Sequence, residues 1–262
     1  MSTSITSQIA RNGIATVTLN RPERHNAFDD ALIAELTTEF ERLAANPEVR
    51  VLILAASGKS FSAGADLGWM KRMANNTEEA NLDDARALAK LMHVLDTFPK
   101  PTVAAVQGPA YGGGVGLVAC CDMAFAAPET MFSLSEVRLG LIPAVISPYV
   151  IRKIGNSQAR RYFLSAERFS PETALRIGLV HDITPQDEVL PLATSWAVQL
   201  LSNGPEAMLE AKRLVAEVSN RPICNELNEF CAQRIAKQRV SKEGQEGLTA
   251  FLEKRPPNWV TQ

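Results

Sequence analysis

The chain has 262 residues, enough for one large domain or a domain with a helical appendage. Apolar residues make up 46% and charged residues 21%, so wholesale disorder is excluded as an expectation. A formal charge of −2 gives no general electrostatic reason to bind nucleic acid or an anionic membrane.

The N-terminal stretch, residues 1–13, is polar and has no basic segment followed by an apolar core, so no signal or transit segment is expected. Residues 5–20 read as two strands joined at Asn12-Gly13, a strong hairpin signal. Asp29 can cap a helix with Leu32, Leu36, Phe40 and Leu43 on one face, ending at Asn46-Pro47. Apart from Arg50, residues 49–56 make an apolar, β-branched run, as suits a strand buried on both faces. Thr77 can cap a longer helix with Leu88, Leu91, Leu95 and Phe98 inward, stopped by Pro99. Residues 102–106 read as another buried strand, Gly112 to Gly116 opens a helix, and Met123 to Ala127 returns to strand. Strands and helices alternate, which predicts an α/β fold.

After about residue 145 the pattern turns helical. Asn156, Ser170-Pro171 and Asn203-Gly204-Pro205 mark helix starts, and residues 186–201 carry an apolar face. The expected organisation is a core over residues 1–200 and a C-terminal helical region over 201–262. The apolar run Val103 to Cys121 holds Gln107, Pro109 and several Gly, which favours strand, loop and helix over a membrane span. Cys120, Cys121, Cys224 and Cys231 lack zinc or disulfide spacing. Buried, reduced thiols in a cytoplasmic protein are the expectation, and nothing proposes a metal.

Three segments can carry chemistry. Ser60-Phe61-Ser62-Ala63-Gly64-Ala65-Asp66-Leu67 follows a strand and is built of small residues, so its N–H groups can approach a ligand. Gly108-Pro109-Ala110-Tyr111-Gly112-Gly113-Gly114 lies between a buried strand and a helix, whose first amides have no helical acceptor. Ser135-Glu136-Val137-Arg138-Leu139-Gly140 sets one acid in apolar surroundings. Singly, each has a plainer reading. The Gly run fits neither a phosphate loop nor a dinucleotide fingerprint, and Glu136 reads equally as a surface acid or a partner of Arg138.

Together and in this order, with Leu19-Asn20-Arg21-Pro22-Glu23-Arg24-His25-Asn26-Ala27 before them and Phe251-Leu252-Glu253-Lys254-Arg255 after, they resemble the crotonase (enoyl-CoA hydratase/isomerase) family over nearly the whole chain. The resemblance implies a spiral of β-β-α units with a C-terminal helical region, assembled as a trimer or a dimer of trimers. It implies an acyl-CoA thioester as substrate, with no cofactor beyond the coenzyme A that the substrate carries. It places an oxyanion hole at the N–H groups of Ala63 and Gly113 and the acid/base at Glu136. Arg24, Ala27, Ala65, Asp66 and Leu67 would hold the CoA adenine and pantetheine. Tyr111, Gly112, Gly140 and Pro143 complete the substrate contacts, and Phe251 and Lys254 would come from a neighbouring subunit.

One departure matters. Hydratases of the family carry two Glu, and the first falls on Gly116. Double-bond isomerases with a single Glu are therefore a rival reading. Gly112 to Asp122 and Ser135 to Tyr149 look like the bacterial methylglutaconyl-CoA hydratases and their isohexenylglutaconyl-CoA relatives. Gly116 is then expected to remove a repelling carboxylate and clear volume for a branch, with Lys71, Arg72 or Arg138 meeting a substrate carboxylate. A non-catalytic scaffold or an RNA binder is the contrasting class, and the retained Glu136 and absent basic patch weigh against it.

Overall fold

A computed structural model describes residues 4–260. Strand β1 (Ile5–Ile9) pairs antiparallel with β2 (Ile14–Leu19) across the expected turn, where Gly13 takes φ +85°. Helix α1 (Asp30–Ala45) starts at Asp29, whose carboxylate accepts from the Leu32 N–H at 2.9 Å. Then come β3 (Val51–Ala56), α2 (Leu67–Met73), α3 (Glu78–Asp96), capped by Thr77, and β4 (Thr102–Val106). Next are β5 (Ala110–Tyr111), α4 (Gly113–Cys120), β6 (Met123–Ala126) and β7 (Phe132–Ser133). Helix α5 (Ser147–Ser165) breaks at Gly155, so Asn156 opens the second half of a kinked helix and not a helix of its own. Helix α6 (Pro171–Arg176) has Ser170 as its cap, and β8 (Asp182–Ile183) and α7 (Val189–Leu200) follow.

The main sheet runs β1-β2-β3-β4-β6-β8, parallel throughout except for the β1–β2 hairpin. Its alternation explains the unbroken apolar runs. Leu52, Leu54, Ala104 and Val106 face the core shared with α1, α3, α4 and α5. Val51, Ile53, Ala55, Val103 and Ala105 face a second core under α7. β3 is thus buried on both faces, and no polar residue fits its run.

A second, small ladder joins the loops that leave this sheet. β5 pairs with β7, and isolated bridges link Phe28 to Ala65, Ser62 to Ala110, and Phe132 to Phe169. Five chain segments, around Phe28, Ser62–Ala65, β5, β7 and Phe169, are therefore stitched together beyond the C-terminal ends of β3 and β4.

Beyond α7 the described residues form α8 (Pro205–Val218), α9 (Asn225–Arg239) and α10 (Lys242–Leu252). α10 returns to α8: Glu243 accepts the amides of Glu206 and Ala207 at 2.9 and 2.7 Å, supplying the cap that Gly204 cannot. Lys212 pairs with Asp122 at 2.9 Å, tying α8 to the core. No helix among the described residues is long and apolar enough to cross a membrane. Cys120 and Cys121 are buried, and burial pushes the Cys121 thiol up to about 12. Cys224 and Cys231 are only half-buried, against expectation, because the helix that carries them packs few residues inward.

Candidate active site

The turn at His25 and Asn26 organises the first loop. Both residues take φ +52°. The Asn26 side chain is buried, donates to the carbonyls of Ser57 and Ser60 at 2.9 Å each, and accepts the Arg21 N–H at 2.8 Å. The Ser62 hydroxyl donates to the Asn26 carbonyl at 2.9 Å. The 57–62 segment is thereby held by one buried amide side chain, so its geometry is fixed before any ligand arrives.

These bonds decide which amides are free. The Ala63 N–H donates to the His25 carbonyl at 2.9 Å. It cannot also serve as an oxyanion donor, so that expectation is corrected. Two residues on, the Phe28 N–H donates to Gly64 O and the Asp66 N–H to Phe28 O, both at 2.7 Å. That parallel bridge turns the Ala65 N–H to the opposite side of the ribbon, where it meets no acceptor among the described residues. The sequence reading gave Ala65 to CoA binding alone. The alternation of N–H direction along a bridged segment is the signal that separates the two alanines.

The second loop lies against the first. Tyr111 N–H donates to Ser62 O at 2.9 Å, and Gly112 N–H to Ser133 O at 2.9 Å. Gly112 takes φ +49°, and a Cβ built on it would stand 3.1 Å from Glu136 Oε1 and 4.0 Å from the Gly64 Cα. One residue further on each strand stand Ala65 and Gly113. Gly113 is the first residue of α4, and its N–H also has no acceptor among the described residues.

Glu136 begins a short 3₁₀ turn that ends at Gly140 in the left-handed region. It forms no ion pair among the described residues, with Arg138 or any other cation. Its Oε2 is buried and accepts no hydrogen bond from the described residues. Burial pushes its carboxyl above the ordinary Glu value, opposed in part by its own backbone amide. A carboxylate of raised basicity beside two free amide donors can exchange a proton with a group whose oxygen those donors hold.

Around this centre, Asp66 caps α2 by accepting from Gly68 and Trp69, and its other oxygen meets Arg24 at 3.4 Å. Ala27 and Pro143 are buried, and Leu67 is exposed. The Arg168 guanidinium lies over the Tyr111 ring. Arg72 is taken by Asp30 at 2.5 Å, whereas Lys71 and Arg138 are exposed. Phe251 and Lys254 do not join this group within the chain. α10 and the segment after it are tied to Arg50, at the N-terminal end of β3, and the site stands at the other end.

Gly116 corrects a further expectation. A Cβ built there would overlap Ile146 Cγ2 and lie 3.0 Å from Ile146 Cβ and 3.1 Å from Met92 Cε. The absent acid leaves no cleared volume, because Ile146 and Met92 fill it.

Residues 10–262 match the sequence profile of the family described as Enoyl-CoA hydratase/isomerase. The chain is 33% identical over 247 residues to the 2,3-dehydroadipyl-CoA hydratase of Escherichia coli, covering 94% of each chain. It is 31% identical over 252 residues to the crotonyl-CoA hydratase of Syntrophomonas wolfei, covering 95% of each. It superposes on the crystal structure of an enoyl-CoA hydratase from Shewanella pealeana with a TM-score of 0.95 at 46% identity, covering 98% of this chain and 96% of that one.

Proposed function

We propose that this chain, which belongs to the enoyl-CoA hydratase/isomerase family, hydrates a branched glutaconyl-CoA, the 3-methylglutaconyl or isohexenylglutaconyl ester, to the 3-hydroxyacyl-CoA. That it is an enoyl-CoA hydratase-type hydro-lyase follows from the family and its named hydratases. The acyl group and the roles of individual residues are the reading offered here. The observation that carries it is a half-buried carboxylate, Glu136, whose enclosed Oε2 has no partner and which forms no ion pair among the described residues, lying beside the amides of Ala65 and Gly113.

In this reading the two amides hold the thioester oxygen. Glu136 takes a proton from a water as its oxygen bonds to the β-carbon, and the double-bond electrons move toward the thioester oxygen as an enolate. The protonated Glu136 then returns that proton to the α-carbon, so one carboxylate supplies H and OH from the same molecule. Each donor to the developing oxyanion is worth roughly 3–4 kcal/mol.

Two observations support a substrate with its own carboxylate. The E. coli relative is named for a dehydroadipyl ester, the thioester of an unsaturated dicarboxylic acid. Position 116 is walled by Ile146 and Met92 instead of an acid, which spares the substrate carboxylate a repulsion of about 1 kcal/mol in water at 4 Å and more in a partly buried site. Lys71 and Arg138, exposed and in no ion pair among the described residues, are the candidates to meet it.

The deciding measurement compares kcat/KM for 3-methylglutaconyl-CoA, crotonyl-CoA and a 3-enoyl-CoA. The branched ester is expected to lead. A tenfold lead for crotonyl-CoA, about 1.4 kcal/mol of transition-state preference, would make the chain a general enoyl-CoA hydratase, and the same lead for the 3-enoyl ester an isomerase.

A further inference from the structure

We propose that Ile146 is a specificity-determining residue of the acyl site: it keeps the wall beside Gly116 apolar and leaves Glu136 without a second acid. This rests on the reading of Glu136 as the acid/base.

The argument starts from α4. Gly116 lies three residues beyond Gly113, about 4.5 Å along the helix axis at 1.5 Å per residue. Residues three and four apart share a helix face, so Gly116 follows both Gly113, with its free amide, and Gly112, beside the Glu136 carboxylate. An acyl chain whose thioester oxygen rests on the Gly113 amide passes Glu136 and reaches this next turn with its first few carbons.

The surface it meets there is set from a distance. Ile146 enters from the start of α5, thirty residues later, and is only 3% exposed. Its Cγ2 stands where a side chain at 116 would begin. Met92 closes the other side with Cε, and its sulfur lies 3.8 Å from Cys120 Sγ. Gly116 and Ile146 are thus complementary in volume, and either can grow only if the other shrinks. A carboxylate at 116 is excluded by this packing, so the one-acid character of the site is a property of the pair and not of Gly116 alone. A wall of methyl groups also suits an alkyl substituent on the β-carbon, where a second carboxylate would demand water or a cation.

The test reads the ratio of kcat/KM for 3-methylglutaconyl-CoA over crotonyl-CoA, because a ratio taken on one preparation cancels any loss of folded protein. Ile146→Ala is expected to lower it at least threefold. Gly116→Glu with Ile146→Ala is expected to lower it at least tenfold and to add an ionisation to the pH profile, since two nearby carboxylates titrate as a coupled pair. An Ile146→Ala ratio within 1.5-fold of wild type overturns the inference, whether or not the double variant folds. Glu136→Gln in the wild-type background separates the two ideas. Retained turnover there sinks the acid/base reading, whereas lost turnover with an unmoved Ile146→Ala ratio sinks the Ile146 inference alone.

Discussion

The His25 carbonyl accepts the Ala63 N–H at 2.9 Å, and that bond leaves Ala65 as the amide of its loop able to serve a ligand. Two proline substitutions separate these neighbours, since each deletes one N–H. Ala65→Pro removes a donor that the fold does not use. Turnover is expected to fall about 10²–10³-fold, the usual effect of losing one oxyanion donor, with thermal unfolding close to wild type. Ala63→Pro removes the bond to His25 and is expected to cost about 1 kcal/mol or more of stability, read as a lower Tm. If Ala65→Pro turns over like wild type while folded, the oxyanion donor is elsewhere.

Glu136 offers a test with a defined sign. Glu136→Gln keeps shape and cannot exchange the proton, so kcat should fall by about 10²-fold or more with CoA-ester affinity retained. Burial raises the native carboxyl above its unfolded value, so the unfolded chain holds fewer protons between the two pKa values. Glu136 therefore favours folding below its unfolded pKa, and that contribution is lost as pH rises through the folded one. The Tm of Glu136→Gln minus that of wild type should grow as pH is raised from 4 to 8. A flat difference would mean that the carboxyl is not desolvated. The acid limb of the wild-type kcat/KM profile should also lie above the ordinary Glu range and vanish in the variant.

Much of this was legible in the sequence because it is local. The Asn12-Gly13 turn, the caps Asp29, Thr77 and Ser170, and the runs at β3 and β4 each announce themselves within a few residues. β5 and β7 have two residues each, too few to show a period, yet they hold the site loops together. α2 is hidden because its cap, Asp66, sits inside a segment read for ligand binding. The choice of Ala65 over Ala63 depends on His25 and Phe28, which lie some forty residues earlier. The filling of position 116 depends on Ile146, thirty residues later. No periodicity in one segment reports either contact.

Arg50 ties the C-terminal helices to the sheet. Its guanidinium donates to the carbonyls of Leu201, Asn203 and Trp259 at 3.2–3.3 Å, and burial lowers its pKa against the pull of Glu243. Arg50→Met leaves these carbonyls without their donor and is expected to cost about 1–3 kcal/mol, a Tm fall of roughly 2–6 °C for a chain of this size. Arg50→Lys should fall between, because one ammonium cannot span three carbonyls. A Tm for Arg50→Met within 1 °C of wild type would mean that the anchor is energetically idle.

Phe251 is 82% exposed and Leu252 77% at the end of α10, with Lys254 just beyond in the left-handed region. An aromatic and an aliphatic side chain bare together at a helix end are costly to leave in water, at about 25 cal/mol per Å² of apolar surface. They cannot be covered at their own site, because Arg50 holds the segment after α10 at the N-terminal end of β3. Six strand residues at about 3.3 Å each place the loops around Ala65 some 20 Å away. A second copy of the chain is expected to supply the matching surface, and the exposed, apolar Leu67, two residues from Ala65, is the candidate contact. The expected assembly is a homotrimer or a dimer of trimers in which Phe251 and Lys254 of one subunit complete the CoA site of another. Phe251→Asp should shift the mass found by light scattering toward the monomer and raise KM for the CoA ester, with the circular dichroism of a folded chain. Lys254→Ala should raise KM severalfold at unchanged oligomeric mass, because in the expected assembly it would remove a charge turned toward the CoA phosphates and little buried surface. A wild-type protein that stays monomeric at micromolar concentration with full turnover would remove the neighbour from the site.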